Sequence, residues 1–387
     1  MTEETPQKAH KGPYRADHVG SLIRPERLLQ ARAQRDAGEI DAATLGEVED
    51  DCIREVVRLQ EDAGLEAITD GEFRRRVWYA DFLSGFDNVT DAGRMLEVAI
   101  TEPDGSVTTS MLNGMTVDGK LNRSHGIQTE SFEFLKSATR KRPKVCIPSP
   151  SMMHFRGGRE GIDKDAYPEM AAFWDDLARV YHEEIMDLVS RGLTYLQLDD
   201  TNLAYLCDEN FRAAVARIGE DPGSLPAIYC DVINRALEGV PDHVTVCIHL
   251  CRGNARQAGV AAGSKARGGY EPVAETLFGS LTVDGYFLEY DDERAGDFSP
   301  LRFLPKEKKV VLGLVTTKRP ELESKDVLKR RIDEAAGFVG GDQICLSPQC
   351  GFSSGVGRKG LTIDDERAKL ELVVEMATEI WGDLHGG

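Results

Sequence analysis

The chain has 387 residues, of which 66 are acidic and 47 basic, for a formal charge of −19. So acidic a surface repels phosphate backbones and anionic lipid headgroups, so neither nucleic acid nor a membrane is an expected partner. No apolar run approaches the roughly 18 residues of a membrane span, and the polar stretch Met1–Lys11 has no apolar signal core, which makes a cytoplasmic location the expectation. Eight cysteines are too sparse for a disulfide scaffold, and several (Cys146, Cys230, Cys247, Cys345) sit in apolar runs, so they read as reduced thiols.

Residues 1–13 are polar, contain Pro6 and Pro13, and read as a flexible tail ahead of one domain spanning 14–387. Arg15 to Leu22 is a short strand ending in Gly20-Ser21, followed by a helix from about Pro25 to Ala37. A second helix runs from about Ala42 to Ala63, with Leu45, Val48, Ile53, Val56, Val57 and Leu59 at helical spacing, and the second strand is Leu65–Glu72. Between Phe73 and Ser137 the pattern lapses. Alternating segments Leu96–Thr101 and Val107–Leu112 flank Asp104-Gly105 and predict a hairpin insertion, at about 82–137, over one end of the fold.

Lys144–Pro150 is the third strand, a helix from about Ala166 to Arg191 follows, and Thr194–Asp200 is the fourth. Helices near Glu209–Ile218 and Leu225–Leu237 lead to the fifth strand, whose run Val244–Asn254 carries His249 and Cys251 at its end. Gly285–Tyr290, Lys309–Lys318 and Gln343–Gly351 are the sixth, seventh and eighth strands, and Ile363–Trp381 is the closing helix. Eight short apolar strands separated mostly by helices predict an α/β fold, the (β/α)₈ barrel, with a hairpin inserted after strand two. A barrel gathers all eight carboxyl ends into one mouth, where the strand ends here are polar or reactive.

Four of those ends form a candidate metal set. A period of two puts His249 and Cys251 on one strand face, and Glu289 and Cys350 end the sixth and eighth strands. Two thiolates, an imidazole and a carboxylate suit Zn²⁺ rather than the oxygen-seeking Mg²⁺ or Ca²⁺. Cys345 is the alternative to Cys350 but lies inside its run, and Glu289 also reads as a carboxylate paired with Arg252 or Arg294. A centre this rich in anions is a poor Lewis acid for hydrolysis and suits holding a thiol as thiolate. Glu72 and Asp199 suit an ammonium group, and Ser21 with neighbouring N–H groups suits a carboxylate.

In order and context, His249-x-Cys251, Glu289 in Phe-Leu-Glu-Tyr and Cys350 in Ser-Pro-Gln-Cys-Gly resemble the zinc ligands of cobalamin-independent methionine synthase. His18-Val-Gly-Ser21, Asp70-Gly-Glu72-Phe and Gln197-Leu-Asp199 resemble that family's homocysteine-binding segments. The resemblance runs from about Tyr14 to Trp381 and covers the family's catalytic C-terminal barrel alone. It implies that zinc-bound homocysteine thiolate attacks the methyl group of a methylated folate. Where the family carries a histidine thought to relay a proton to the departing folate, this chain reads Thr316-Thr317-Lys318-Arg319. Lys318, its pKa depressed by zinc or burial, is therefore the candidate proton donor, and a simpler or protein-borne donor such as a methylated corrinoid is expected. Asp199-Asp200-Thr201-Asn202 likewise replaces the family's Asp-Glu-Pro-Ala. Single-barrel relatives include epoxyalkane:coenzyme M transferase, and Arg15, Arg24 and Lys318 are cations that could serve a sulfonate. A non-catalytic zinc- or thiol-binding barrel is the third reading, and self-association into a homo-oligomer is open.

Overall fold

A computed structural model of the chain describes residues 11–101, 106–253, 266–353 and 360–385. In chain order its strands are Ala67–Ile68 (β1), Asp87–Thr101 (β2), Val107–Asn122 (β3), Arg142–Pro143 (β4), Val145–Pro148 (β5), Tyr195–Asp200 (β6), Thr245–Leu250 (β7), Gly285–Glu289 (β8), Lys309–Val315 (β9) and Ile344–Pro348 (β10). β5 to β10 form one sheet in sequence order with every neighbour parallel. β1 pairs in parallel with β4, which runs almost directly into β5.

The ring is completed by the segment around Ala16. Ala16 bridges Leu346 in parallel, with Asp17 N donating to Leu346 O at 3.0 Å and Leu346 N to Arg15 O at 2.8 Å. Across the remaining gap to β1, Thr69 Oγ1 donates to Gly20 O at 2.7 Å, Leu22 N donates to Gly71 O at 3.1 Å, and His18 Nε2 meets Ala67 O at 3.1 Å. Burial lowers the His18 pKa to about 4, so it serves as a neutral bridge between the first two barrel segments. The fold is a (β/α)₈ barrel whose first segment joins its neighbours through one isolated bridge and a few scattered bonds rather than a ladder.

Barrel strands are covered on both faces, and every residue of Tyr195–Asp200 and Thr245–Leu250 is buried. Helices supply the outer layer by burying one apolar stripe. In Ala42–Asp62 the buried residues are Cys52, Ile53, Val56, Val57, Leu59 and Gln60, and Asp41 caps the first turn by accepting from Thr44 N. Each such buried aliphatic side chain contributes roughly 1.5–3 kcal/mol. Inside the ring Lys144 Nζ donates to Asp17 Oδ1 at 2.9 Å and to His18 O at 2.6 Å, with both side chains fully buried. A buried pair of this kind ties one strand end to another; removing either partner alone would strand a charge in the core.

Several elements depart from the sequence expectation. The hairpin of β2 and β3 is longer than the two alternating segments, with buried Leu96, Val98, Ile100, Met115 and Val117, while the expected turn at Asp104-Gly105 lies outside the described residues. Asn113 O, on β3, accepts from Arg156 Nη1 at 2.6 Å, which pins the hairpin over the loop leaving the carboxyl end of β5. A helix, Thr129–Ala138, follows the hairpin where no period was legible. Between β8 and β9 the chain forms only short 3₁₀ turns, Glu293–Ala295 and Ser299–Phe303, with no α-helix. Residues 1–10 of the expected tail, like Asn254 at the end of the fifth run, lie outside the described residues; Gly12 and Pro13 are buried, with Gly12 N donating to Thr245 Oγ1 at 2.9 Å. Among the described residues no helix is long and apolar enough to cross a membrane.

Candidate functional site

The carboxyl ends of β7, β8 and β10 bring His249, Cys251, Glu289 and Cys350 together, with one donor atom from each lying within 4.8 Å of all the others. Cys251 N donates to Asp200 O at 2.7 Å, so the β6–β7 ladder continues one residue past Leu250 and fixes the thiol two positions from His249 on the same face. Cys350 stands two residues past the end of β10. Next to it, a Cβ on Gly351 would stand 1.9 Å from Ser21 Oγ, so only glycine lets the Ser21 loop lie against the Cys350 turn. Cys345 packs instead with Tyr14, Val19, Tyr195 and Phe287 inside the ring, away from this cluster.

Geometry and electrostatics of the four donors fit a small dication. The thiols of Cys251 and Cys350 are 3.4 Å apart, close to the separation of about 3.8 Å that two thiolates take on a tetrahedral Zn²⁺. Both ring nitrogens of His249 and Oε2 of Glu289 are buried without a hydrogen bond. Proximity to Cys350, then burial, pushes the Cys251 thiol well above its ordinary range, and burial with Cys350 lifts Glu289 to about 7. The protein thus packs groups that are costly to ionise together, and a bound dication would supply the compensating charge.

Surrounding residues hold the cluster in place. Glu289 Oε1 accepts from Arg252 N at 2.9 Å, and its Oε2 faces Arg294 Nη2 at 3.6 Å. Both arginines weighed as ion-pair partners are thus present, Arg252 through its main chain. Tyr270 Oη lies 3.0 Å from Glu289 N, which donates to it, and 3.5 Å from Leu250 O, spanning the two ligand strands.

Glu72 and Asp199 line the same mouth. Asp199 pairs in register with His249, and Gln197 Nε2 donates to its Oδ1 and to Val19 O, each at 2.6 Å. Burial raises Asp199 to about 6, opposed first by His249. Burial raises Glu72 to about 8, with Arg75 opposing and Asp199 adding to the rise, so the two carboxylates feel each other. Glu72 Oε2 is buried without a hydrogen bond. Two crowded carboxylates of this kind favour a cationic ligand between them. Asp200 is not a solvated acid: it is fully buried, accepts from Ser151 Oγ at 2.5 Å and from Leu203 N at 2.7 Å, and shapes the following turn.

Lys318 corrects an expectation. β9 stops at Val315, and Lys318 Nζ sits in the loop beyond it, 2.8 Å from both Asp291 Oδ2 and Asp292 Oδ2. Its pKa is raised rather than depressed: burial lowers it, but Asp291 and the neighbouring acids outweigh that. The acids come from the β8 end, so nothing near Lys318 in sequence announced them. The other cations considered for a sulfonate are also engaged. Arg15 Nη1 donates to Gly341 O and Ile344 O, while Arg24 binds Ser353, Glu72 O and Arg75 O.

No protein-family model matches the chain. The uncharacterized protein YxjH of Bacillus subtilis is 41% identical over 377 residues, covering 97% of each chain. A vitamin-B12 independent methionine synthase candidate from Listeria monocytogenes superposes with a TM-score of 0.77 at 35% identity, over 96% of this chain and 99% of that one. The methionine synthase of Pyrococcus abyssi is 24% identical over 335 residues, 86% of this chain and 85% of its own.

Proposed function

This chain belongs to the cobalamin-independent methionine synthase family, and from that premise we propose that it is a zinc-dependent S-methyltransferase acting on homocysteine or a close thiol amino acid. One observation carries the reading: four donor atoms within 4.8 Å of one another, from His249, Cys251, Glu289 and Cys350, lie in the mouth that also buries Asp199 and Glu72. Zn²⁺ held by these four would keep an incoming thiol ionised at neutral pH, although a free thiol has a pKa of about 8.5.

The chain's own groups do the remainder. Asp199 and Glu72 hold the acceptor's ammonium group, and Ser21 through its hydroxyl and its own N–H holds the carboxylate, since Leu22 N and Ile23 N are given to Gly71 O and Glu366 Oε2. Glu289 would be the lone oxygen donor to that ion, and Arg252 N and Arg294 Nη2 face its carboxylate. A sulfur–carbon bond forms to the methyl group as the donor's bond to that methyl breaks, and the leaving electron pair stays on the donor. To Lys318, kept charged by its bonds to Asp291 and Asp292, we assign the stabilisation of that developing negative charge.

A thiol-epoxide transferase acting on a sulfonated thiol is less well served, because Arg15 and Arg24 are spent on main-chain carbonyls. The test is to give the zinc-loaded protein homocysteine with methyltetrahydrofolate carrying one or several glutamates, and separately with methylcobalamin. Methionine is expected from the monoglutamate or from methylcobalamin, with Lys318→Ala slower by about 100-fold. Rapid turnover of the polyglutamate alone, undiminished in Lys318→Ala, would overturn the donor assignment; no turnover with any donor would favour a zinc-binding barrel without catalysis.

A further inference from the structure

We propose that Arg24 is a positioning residue for the acceptor, because it clamps Glu72 in a backbone conformation that glutamate seldom adopts. The inference rests on reading Glu72 and Asp199 as the ammonium site, and it names what sets that site's shape.

Arg24 lies three residues past Ser21, and its side chain is almost wholly buried. Nη1 donates to Ser353 O at 2.5 Å and to Ser353 Oγ at 3.1 Å. Nη2 donates to Glu72 O at 3.1 Å and to Arg75 O at 3.0 Å. These bonds end on carbonyls and a hydroxyl, not on a carboxylate. A guanidinium spent this way is an expensive means of binding two loops, and the geometry it secures is the reason to look further.

That geometry is unusual at Glu72. Gly71 and Glu72 both have positive φ, 68° and 61°, and glutamate, unlike glycine, is strained there. Leu22 N donates to Gly71 O at 3.1 Å and Glu72 N to Asp70 Oδ1 at 2.8 Å, so the turn is held from the Ser21 loop and from within. Arg24 adds the bond to Glu72 O itself. The result is a buried Glu72 carboxylate whose Oε2 has no hydrogen bond and which is close enough to Asp199 to feel its charge. Ser353 follows Cys350 by three residues, so one side chain joins the loops that carry Ser21, Glu72 and a candidate metal ligand. Only a planar fork reaches carbonyls on two sides at once, which lysine cannot do.

The experiment measures homocysteine and 1-propanethiol binding to zinc-loaded protein by calorimetry, with zinc content determined in parallel, for Arg24→Lys and Arg24→Ala. Homocysteine affinity is expected to fall about 10- to 100-fold in both, with propanethiol affinity changing by less than about threefold. Zinc is expected to stay at one per chain, and added guanidinium to restore homocysteine binding in Arg24→Ala but not in Arg24→Lys. Equal losses for both thiols, unchanged homocysteine affinity, or loss of zinc in both variants would overturn the proposal and leave Arg24 a part of the fold. Glu72→Gln separates the two readings. If it leaves homocysteine affinity unchanged, the ammonium site itself is wrong; if it weakens homocysteine while the Arg24 variants do not, only the role of Arg24 fails.

Discussion

Asp199→Asn is expected to weaken homocysteine binding by about 10- to 150-fold, the equivalent of one lost charge-assisted contact of roughly 1.5–3 kcal/mol. A simple alkyl thiol should bind the variant as it binds the parent, since it has no ammonium group to lose. The isosteric change keeps the side chain's size and leaves an amide oxygen to accept from Gln197 Nε2, now 2.6 Å from Asp199 Oδ1, so the barrel mouth should persist. Asp199 lies between β5 and β7 with only 6% of its surface exposed, so its charge is weakly screened by water and its removal should be strongly felt. Equal losses for both thiols would count against an amino-acid acceptor and toward an epoxide-type reaction.

Cys251→Ser and Cys350→Ser are each expected to abolish stoichiometric zinc. A hydroxyl at either position is a far weaker ligand than a thiolate, and the remaining imidazole, carboxylate and single sulfur make an incomplete tetrahedron. Both substitutions exchange one sulfur for an oxygen in thiols that stand 3.4 Å apart past the strand ends, so they open little space and folding should survive. Metal analysis of the purified variants is the measurement; full zinc in both would remove these cysteines from the ligand set.

How much of this was legible in the sequence differs by element. The barrel strands announced themselves because runs such as Thr245–Leu250 are apolar on both faces and end abruptly in reactive residues, and a barrel sends every such end to one place. The four candidate ligands were named on that ground, and the fold brings them within 4.8 Å. Elements held together by polar or main-chain bonds were less legible. The first segment, Arg15–Leu22, is legible as a strand but keeps only a lone bridge at Ala16, whereas Thr129–Ala138 buries only Thr129, Phe132 and Leu135, too few for a period. The hairpin is polar and half exposed along much of β3, so only its alternating stretches stood out. Lys318 was misjudged because its partners, Asp291 and Asp292, arrive from another strand end. Arg24 was weighed only as a surface for sulfonate, because carbonyls of Glu72, Arg75 and Ser353 carry no sequence signature.

The most direct test of the central claim, that His249, Cys251, Glu289 and Cys350 hold a zinc ion to which the acceptor sulfur comes, is zinc-edge X-ray absorption with and without homocysteine. Without it, the expected first shell has two sulfurs, one nitrogen and one oxygen; with it, a third sulfur should appear as the oxygen leaves. A shell with fewer than two sulfurs, or one that homocysteine does not change, would contradict it.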